Sequence, residues 1–206
     1  MSDIQAAPYS NIISKLPVNS HTIDINRKSW LRLIQHLSLN SPLRNISVPA
    51  SICRNRLLHF QYGNNEHKSL EILMWGYSSG GRGTNITQVL NNLPRVSAAA
   101  ANHCPSWPLY FNQFKIVPGV GISTITKFAY FFGHSFDGLP ALILDQRVAD
   151  ILNLKHWANA PTPVGQRGGW CNQYLKYLNE MNNSANAIKA SGEQLELFFY
   201  LLGKHF

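Results

Sequence analysis

The stretch Val-Pro-Gly-Val-Gly-Ile-Ser-Thr, residues 117–124, decides the fold because it places two glycines between two segments with helical apolar spacing. Gly119 and Gly121 can adopt positive φ and so permit a tight turn. At the start of the second helix, the backbone N–H groups of Ile122 and Ser123 have no intrahelical partner and suit a phosphate oxygen. The stretch therefore predicts a hairpin between helices whose backbone can bind an anion.

A lone carboxylate, Asp145, follows the apolar run Ala141 to Leu144 and precedes another helical segment. The run places this charge at the edge of the apolar interior, where it is partly desolvated. Asp is also a common helix cap, worth about 1 kcal/mol, so a purely structural role stays open. A backbone that binds anions, followed by a partly buried acid, suggests chemistry on a nucleic acid.

The composition favours a polyanionic partner. The chain has 206 residues, of which 45% are hydrophobic, enough for one domain with a sizeable core. The net charge is +8 although only 14% of the residues are charged, so the excess comes from scarce acids. A basic balance of this kind is typical of proteins that bind nucleic acid, and a basic protein without such a partner is the alternative.

Cysteine usage and hydropathy indicate the compartment. Cys53, Cys104 and Cys171 are odd in number and show no metal-site spacing, which predicts reduced thiols in a cytoplasmic protein. We expect neither a metal nor a cofactor. The sequence also has no apolar run of about 20 residues and no basic leader, so we expect no membrane association.

Apolar periodicity and capping signals predict helices and almost no strand alternation. A short extended piece is expected at 21–25, within an otherwise irregular start. The predicted helices cover residues 28–39, 51–60, 66–75, 107–114, 122–132, 145–154, 170–182 and 191–202, with shorter ones beginning near Asn85 and Pro94. The last of them opens with a capping box of Ser191 and Gln194. The sequence therefore predicts an all-α chain.

The glycine pair has two other interpretations. A dinucleotide-binding turn requires a third Gly, where this chain has Thr124, and a βα alternation that the sequence lacks. Pro118, directly before the first Gly, also fits a turn between helices better than a phosphate loop after a strand. A plain structural turn is the other alternative.

Residues 117–124 and the segment Leu-Ile-Leu-Asp-Gln-Arg-Val, residues 142–148, together resemble the helix-hairpin-helix/Gly-Pro-Asp superfamily of DNA glycosylases. They are most similar to the branch with the 8-oxoguanine DNA glycosylase fold and its bacterial relatives. Leu73 to Ile86 resembles the loop-and-helix segment that this branch wedges into the duplex. The resemblance covers about 70–150 and implies a two-lobed helical fold with a DNA-binding cleft between the lobes.

The resemblance implies a single glycosylase domain over 1–206. The lobe that contains the hairpin would cover about 70–155, and the remaining N- and C-terminal segments would form the second lobe. The implied partner is double-stranded DNA containing a modified base, and we expect a monomer.

The resemblance assigns catalysis to Asp145, because breaking a base–sugar bond builds positive charge that a carboxylate stabilises. Members that also cut the strand have a Lys two residues after the last hairpin Gly. This chain has Ser123 there, which implies base removal alone. Lys127, one turn later on the same face, is either a solvated or phosphate-facing Lys or a pocket residue that contacts the base or replaces the missing amine.

The resemblance also implies DNA and base contacts. The DNA contacts fall on Pro118, Gly119, Val120, Gly121, Ile122, Arg147, Arg82 and Asn85. Arg82 would fill the hole left by the extruded base or contact the orphaned partner base, unless it is simply a loop cation near phosphates. Arg147 would contact a phosphate or be an ordinary surface residue. Gln194 and Phe198 share a face of the last helix and would bind the flipped base, with core packing as the alternative for Phe198.

These observations lead to a DNA N-glycosylase that flips out and excises a modified base without cutting the strand. The substrate could be 8-oxoguanine, as in DNA repair, or a hypermodified phage base such as glucosylated hydroxymethylcytosine, as in antiviral defence. Nothing in the residues chooses between them. The competing hypothesis is a non-catalytic helix-hairpin-helix DNA-binding protein, which would need the hairpin but not Asp145.

Overall fold

A computed structural model describes residues 6–37, 42–61, 63–81, 85–154 and 170–202. These residues are mostly helical, which confirms the all-α prediction. The α-helices are α1 (Ser10–Ile13), α2 (Arg27–Gln35), α3 (Arg54–Leu58), α4 (Asn65–Gly76), α5 (Asn85–Asn91), α6 (Leu93–Ala101), α7 (Trp107–Phe114), α8 (Ile122–Phe131), α9 (Gln146–Leu154), α10 (Trp170–Ala187) and α11 (Gly192–Leu202). Short 3₁₀ helices cover Ala7–Tyr9, Val18–Ser20 and Pro42–Asn45.

The helix predicted over 51–60 is wrong in its first part. Ser51–Cys53 forms strand β2, which pairs antiparallel with β1 (Thr22–Asp24), and helix α3 begins only at Arg54. Ile52 lies opposite Ile23 and is fully buried, so burial in a sheet overrides the weak local preference for helix. The extended piece predicted at 21–25 is confirmed as β1.

A second small sheet was not predicted. Strands β3 (Ser135–Phe136) and β4 (Leu139–Pro140) form an antiparallel hairpin whose turn residues, Asp137 and Gly138, have φ of 51° and 77°. Asp-Gly is a typical pair for a two-residue turn of this type, so a sequence signal was present. The flanking strands are too short to show alternation.

Two helix predictions need smaller corrections. The irregular start contains α1 and two of the 3₁₀ helices. Helix α10 runs five residues beyond its predicted end at Asn182, and Ala185 in the added turn is buried in the core. None of the described helices is long and apolar enough to cross a membrane.

The chain divides into two compact units. The first unit comprises Met1–Val18, Cys104–Phe111 and Gly121–Phe206, and the second comprises Asn19–His103 and Asn112–Val120. The core of the first unit contains Trp107, whose ring lies 4.0 Å from that of Tyr174. The core of the second unit lies where α4 packs against α6. The small side chain of the buried Ala100 on α6 lets the two helices approach closely. The lobe boundaries implied by the resemblance stay a prediction.

Candidate active site

The turn between α7 and α8 depends on Gly119. This residue has φ of 84°, which confirms the predicted positive φ. A Cβ at Gly119 would lie 2.6 Å from the carbonyl oxygen of Asn85, the first residue of α5. Gly119 is therefore required both by the turn and by the close approach of another backbone segment.

Gly121 has a different role from the one predicted. Its φ is −95°, extended backbone that any residue can adopt, so the expected positive φ is wrong. Gly121 is the N-cap of α8, and a Cβ there would meet no atom within 4 Å. Its carbonyl accepts the N–H groups of Thr124 and Ile125, each at 3.0 Å. Among the described residues, nothing accepts the N–H groups of Ile122 and Ser123, which leaves two donors at the start of α8.

Lys127 is buried, with 6% of its surface exposed, which excludes the solvated alternative. Its Nζ donates to the Ser123 hydroxyl at 2.6 Å and lies 3.3 Å from the Ser123 carbonyl oxygen. The i, i+4 spacing that predicted a shared face is therefore realised as a direct contact. The first two turns of α8 thus hold a hydroxyl and an amine side by side.

Thr126 links α8 to the residue that precedes Asp145. Its fully buried hydroxyl accepts the Leu144 N–H at 3.1 Å, and its proton can go to the Ser123 carbonyl oxygen at 3.2 Å or the Leu144 carbonyl oxygen at 3.4 Å. One hydroxyl therefore joins the helix that contains Lys127 to the end of the apolar run.

Two tyrosines of α10 fix the rest of the run. Residues 141–144 are buried but lie outside helix and strand, so their peptide groups need other partners. The Tyr174 hydroxyl accepts the Leu142 N–H at 3.1 Å and donates to the Leu142 carbonyl at 2.6 Å, and Tyr177 donates to the Ile143 carbonyl at 2.9 Å. Burial raises the pKa of Tyr174 far above its ordinary value, so the hydroxyl keeps the proton it donates.

Asp145 is half-buried at the end of this run, one residue before α9. Its Oδ1 accepts the Val148 N–H at 3.1 Å, which confirms the predicted cap. Within the described part of the chain the carboxylate has no other hydrogen bond or ion pair, so Oδ2 is left for another partner. The cap fixes the orientation of the carboxylate without using both oxygens.

The other residues predicted to contact DNA differ in their exposure. Arg147 is exposed, and its guanidinium lies 4.8 Å from the centre of the Tyr200 ring in a cation–π contact. Asn85 is exposed at the start of α5. Pro118 is exposed and Val120 is buried. Arg82 lies outside the described residues.

Gln194 and Phe198 both make contacts inside the first unit. The Gln194 Oε1 accepts the Ser191 N–H at 2.9 Å, which completes the predicted capping box, and its Nε2 donates to the Ser14 carbonyl at 2.7 Å. Phe198 is 2% exposed and lies 5.6 Å, ring to ring, from Tyr9. This geometry favours the core-packing alternative, and we do not include the pair in the proposed site.

Sequence reasoning missed the three hydroxyls that support the site, those of Thr126, Tyr174 and Tyr177. Thr126 lies between two residues that were singled out, and its position inside a helix offered a weak signal. The tyrosines lie about 30 residues after the run they bind, and no local pattern connects them to it.

Comparison with known proteins adds a family to this geometry. Residues 16–200 match the family described as "Putative 8-oxoguanine DNA glycosylase OGG-like protein". No curated protein and no solved structure matches the chain. The description of the family names DNA glycosylase activity and so implies DNA binding. Because the match covers most of the 206 residues, the chain belongs to this family of proteins similar to 8-oxoguanine DNA glycosylase.

Proposed function

We propose that this protein is a DNA N-glycosylase in which Asp145 acts on the bond between a modified base and its sugar. The observation that supports this most is the oriented carboxylate of Asp145, which caps α9 through Oδ1 while Oδ2 has no bond to the described residues, beside a peptide run bonded to α8. The family description and the net charge of +8 also favour DNA as the substrate.

The chemistry requires a carboxylate held in place. Cleavage of the glycosidic bond builds positive charge on the deoxyribose, and a fixed negative charge in a partly desolvated position stabilises it. The same carboxylate can orient or deprotonate a water molecule that attacks the sugar. The bond is inaccessible in a stacked duplex, so the base must be flipped out first.

The start of α8 suits the DNA backbone. The N–H groups of Ile122 and Ser123 stand at the positive end of the helix dipole, and Gly121 adds no side chain that would obstruct a phosphate. We assign the hairpin residues Pro118 to Ile122 to this contact, with Arg147 as a further phosphate contact on α9. Such contacts position the duplex and do not distinguish sequences.

The expected product is an intact strand with an abasic site, because the hydroxyl of Ser123 cannot form a Schiff base. One observation favours a second activity, strand cleavage by β-elimination. The buried amine of Lys127 lies 2.6 Å from the Ser123 hydroxyl, and an amine at this position of the helix is the kind of group that forms a Schiff base.

Borohydride trapping separates the two activities, because it reduces a Schiff base to a stable protein–DNA crosslink. We expect no crosslink, and strand scission only after heating in alkali. A crosslink that disappears in Lys127→Ala and persists in Lys176→Ala, a control at an exposed Lys of the same unit, would instead establish Lys127 as the amine. The base-removal-only assignment would then be wrong.

Thr126→Val should reduce base excision although Thr126 touches no substrate in this proposal. Loss of the hydroxyl leaves the buried Leu144 N–H without an acceptor and loosens the segment that holds Asp145, and small displacements of this kind can cost on the order of 10²-fold. Single-turnover excision rates and DNA affinity should be measured together.

Thr126→Ser is the matched control, because it keeps the hydroxyl and should restore most of the rate. If Thr126→Val lowered DNA affinity and left the single-turnover rate unchanged, the positioning role would be wrong.

The family description makes 8-oxoguanine the first substrate to test. Glucosylated hydroxymethylcytosine in phage DNA is the second, since a small change of the pocket changes the base that is accepted. A panel of DNAs that contains both modified bases distinguishes a role in repair from a role in antiviral defence. A protein that bound every member and excised none would instead be the non-catalytic DNA-binding protein.

A further inference from the structure

The positive charge of the protein is concentrated in the second unit. By sequence, segments 19–103 and 112–120 contain ten Lys or Arg and three Asp or Glu, a difference of +7. The remaining segments contain eight basic and seven acidic residues, a difference of +1. The active-site residues Ser123, Lys127 and Asp145 all lie in the first unit, so the charge is concentrated outside the unit proposed to do the chemistry.

One of the three acids of the second unit does not contribute to its surface. Glu71 is 1% exposed and accepts a hydrogen bond from Arg56 Nε at 2.8 Å, with His67 Nε2 at 3.4 Å. An acid buried in this way neutralises its partner, which leaves two acids, Asp24 and Glu66, against the nine other cations of the unit.

Helix α2 has the densest group of these cations. Arg27, Lys28 and Arg32 are exposed, the helix contains no acid, and its buried residues are Trp30 and Ile34. At 100° per residue the three cations fall within an arc of about 140°, and they span roughly 7.5 Å along the helix axis. Phosphates of one DNA strand recur about every 3.4 Å along the DNA axis, so cations spread over this distance can reach more than one phosphate.

Helix α2 is also anchored to the glycine-rich loop after α4. The Asn26 N–H donates to the Ser78 carbonyl at 2.8 Å, and Trp30 Nε1 donates to the Tyr77 carbonyl at 2.9 Å. Gly80, at φ of 92°, packs against Ser29. The basic face therefore stands at a fixed position relative to the start of the loop.

We infer that the outward face of α2, formed by Arg27, Lys28 and Arg32, binds the phosphate backbone of duplex DNA. This rests on the proposed function for its partner, and it adds a surface separate from the hairpin. Three cations on one rigid helix bind phosphates without base specificity and release counterions when they do so.

The test compares two triple variants that remove the same charge. Arg27→Gln, Lys28→Gln and Arg32→Gln neutralise the α2 face, whereas Lys15→Gln, Lys176→Gln and Lys189→Gln neutralise exposed residues of the first unit. The affinity for an unmodified 25-base-pair duplex is measured by fluorescence anisotropy at several salt concentrations. Because no modified base is present, the result does not depend on excision.

We expect the α2 triple to lose roughly 10²-fold in affinity at 0.1 M salt, and its slope of log affinity against log salt to become shallower by about 2 to 3. The control triple should change the slope by less than about 1. Equal slopes in the two triples would overturn the inference. If the α2 triple failed to fold, Lys28→Gln with Arg32→Gln should still reduce the slope by about 1 to 2, and an unchanged slope would overturn it equally.

Discussion

Asp145→Asn is expected to lose at least about 10²-fold in the rate of base excision while DNA affinity stays close to that of the wild type. Asn has the shape of Asp and can still accept the Val148 N–H, so the cap of α9 persists and the free energy of unfolding should hardly change. Only the negative charge that stabilises the developing cation is removed. Single-turnover excision and thermal unfolding measured on the same preparation check both statements.

Asp150→Asn is the control, since it removes the same charge from an exposed residue of α9. Its excision rate should equal that of the wild type. Comparable rates in Asp145→Asn and Asp150→Asn would remove Asp145 from the mechanism and leave it as a cap alone.

Gly119→Ala is expected to lower the free energy of unfolding by about 2 to 4 kcal/mol. Positive φ is unfavourable for Ala, and the new methyl group would lie 2.6 Å from the Asn85 carbonyl oxygen, which belongs to a backbone that cannot move aside cheaply. Denaturant unfolding measures this loss.

Gly121→Ala provides the contrast, because its φ of −95° is ordinary and no atom lies within 4 Å of the added Cβ. The unfolding free energy should fall by less than about 1 kcal/mol. The methyl group would nevertheless stand beside the N–H groups proposed to bind phosphate, so affinity for every DNA sequence should weaken alike. A change of base preference at unchanged affinity would contradict the proposed role of the hairpin.

The periodic parts of the fold could be predicted from the sequence. Trp107–Phe114 was predicted to the residue, and the Asp145 cap and the Ser191–Gln194 box were confirmed because each depends on neighbours within four positions. Strand β2 could not be predicted, because its partner β1 lies 29 residues earlier and the pairing, not the local sequence, stabilises it.

In the candidate site, too, local contacts could be predicted and long-range contacts could not. The contact between Ser123 and Lys127 follows from helical spacing, but the burial of Lys127 depends on what packs over α8 and could not be read from the sequence. The Tyr174 and Tyr177 bonds to residues 142 and 143 are long-range and were missed. Gly121 was expected to adopt positive φ because glycine permits it in a tight turn, although a helix N-cap is normally extended.

Mass spectrometry of the base released from a panel of modified DNAs tests the central claim most directly. The panel should contain 8-oxoguanine duplexes and phage DNA with glucosylated hydroxymethylcytosine, with Asp145→Asn as the inactive control. We expect the wild-type protein to release one modified base as the free base and leave an alkali-labile abasic site, and Asp145→Asn to release almost none. Tight binding of the DNAs without release of a base from any of them, or equal release by both proteins, would contradict a glycosylase that acts through Asp145.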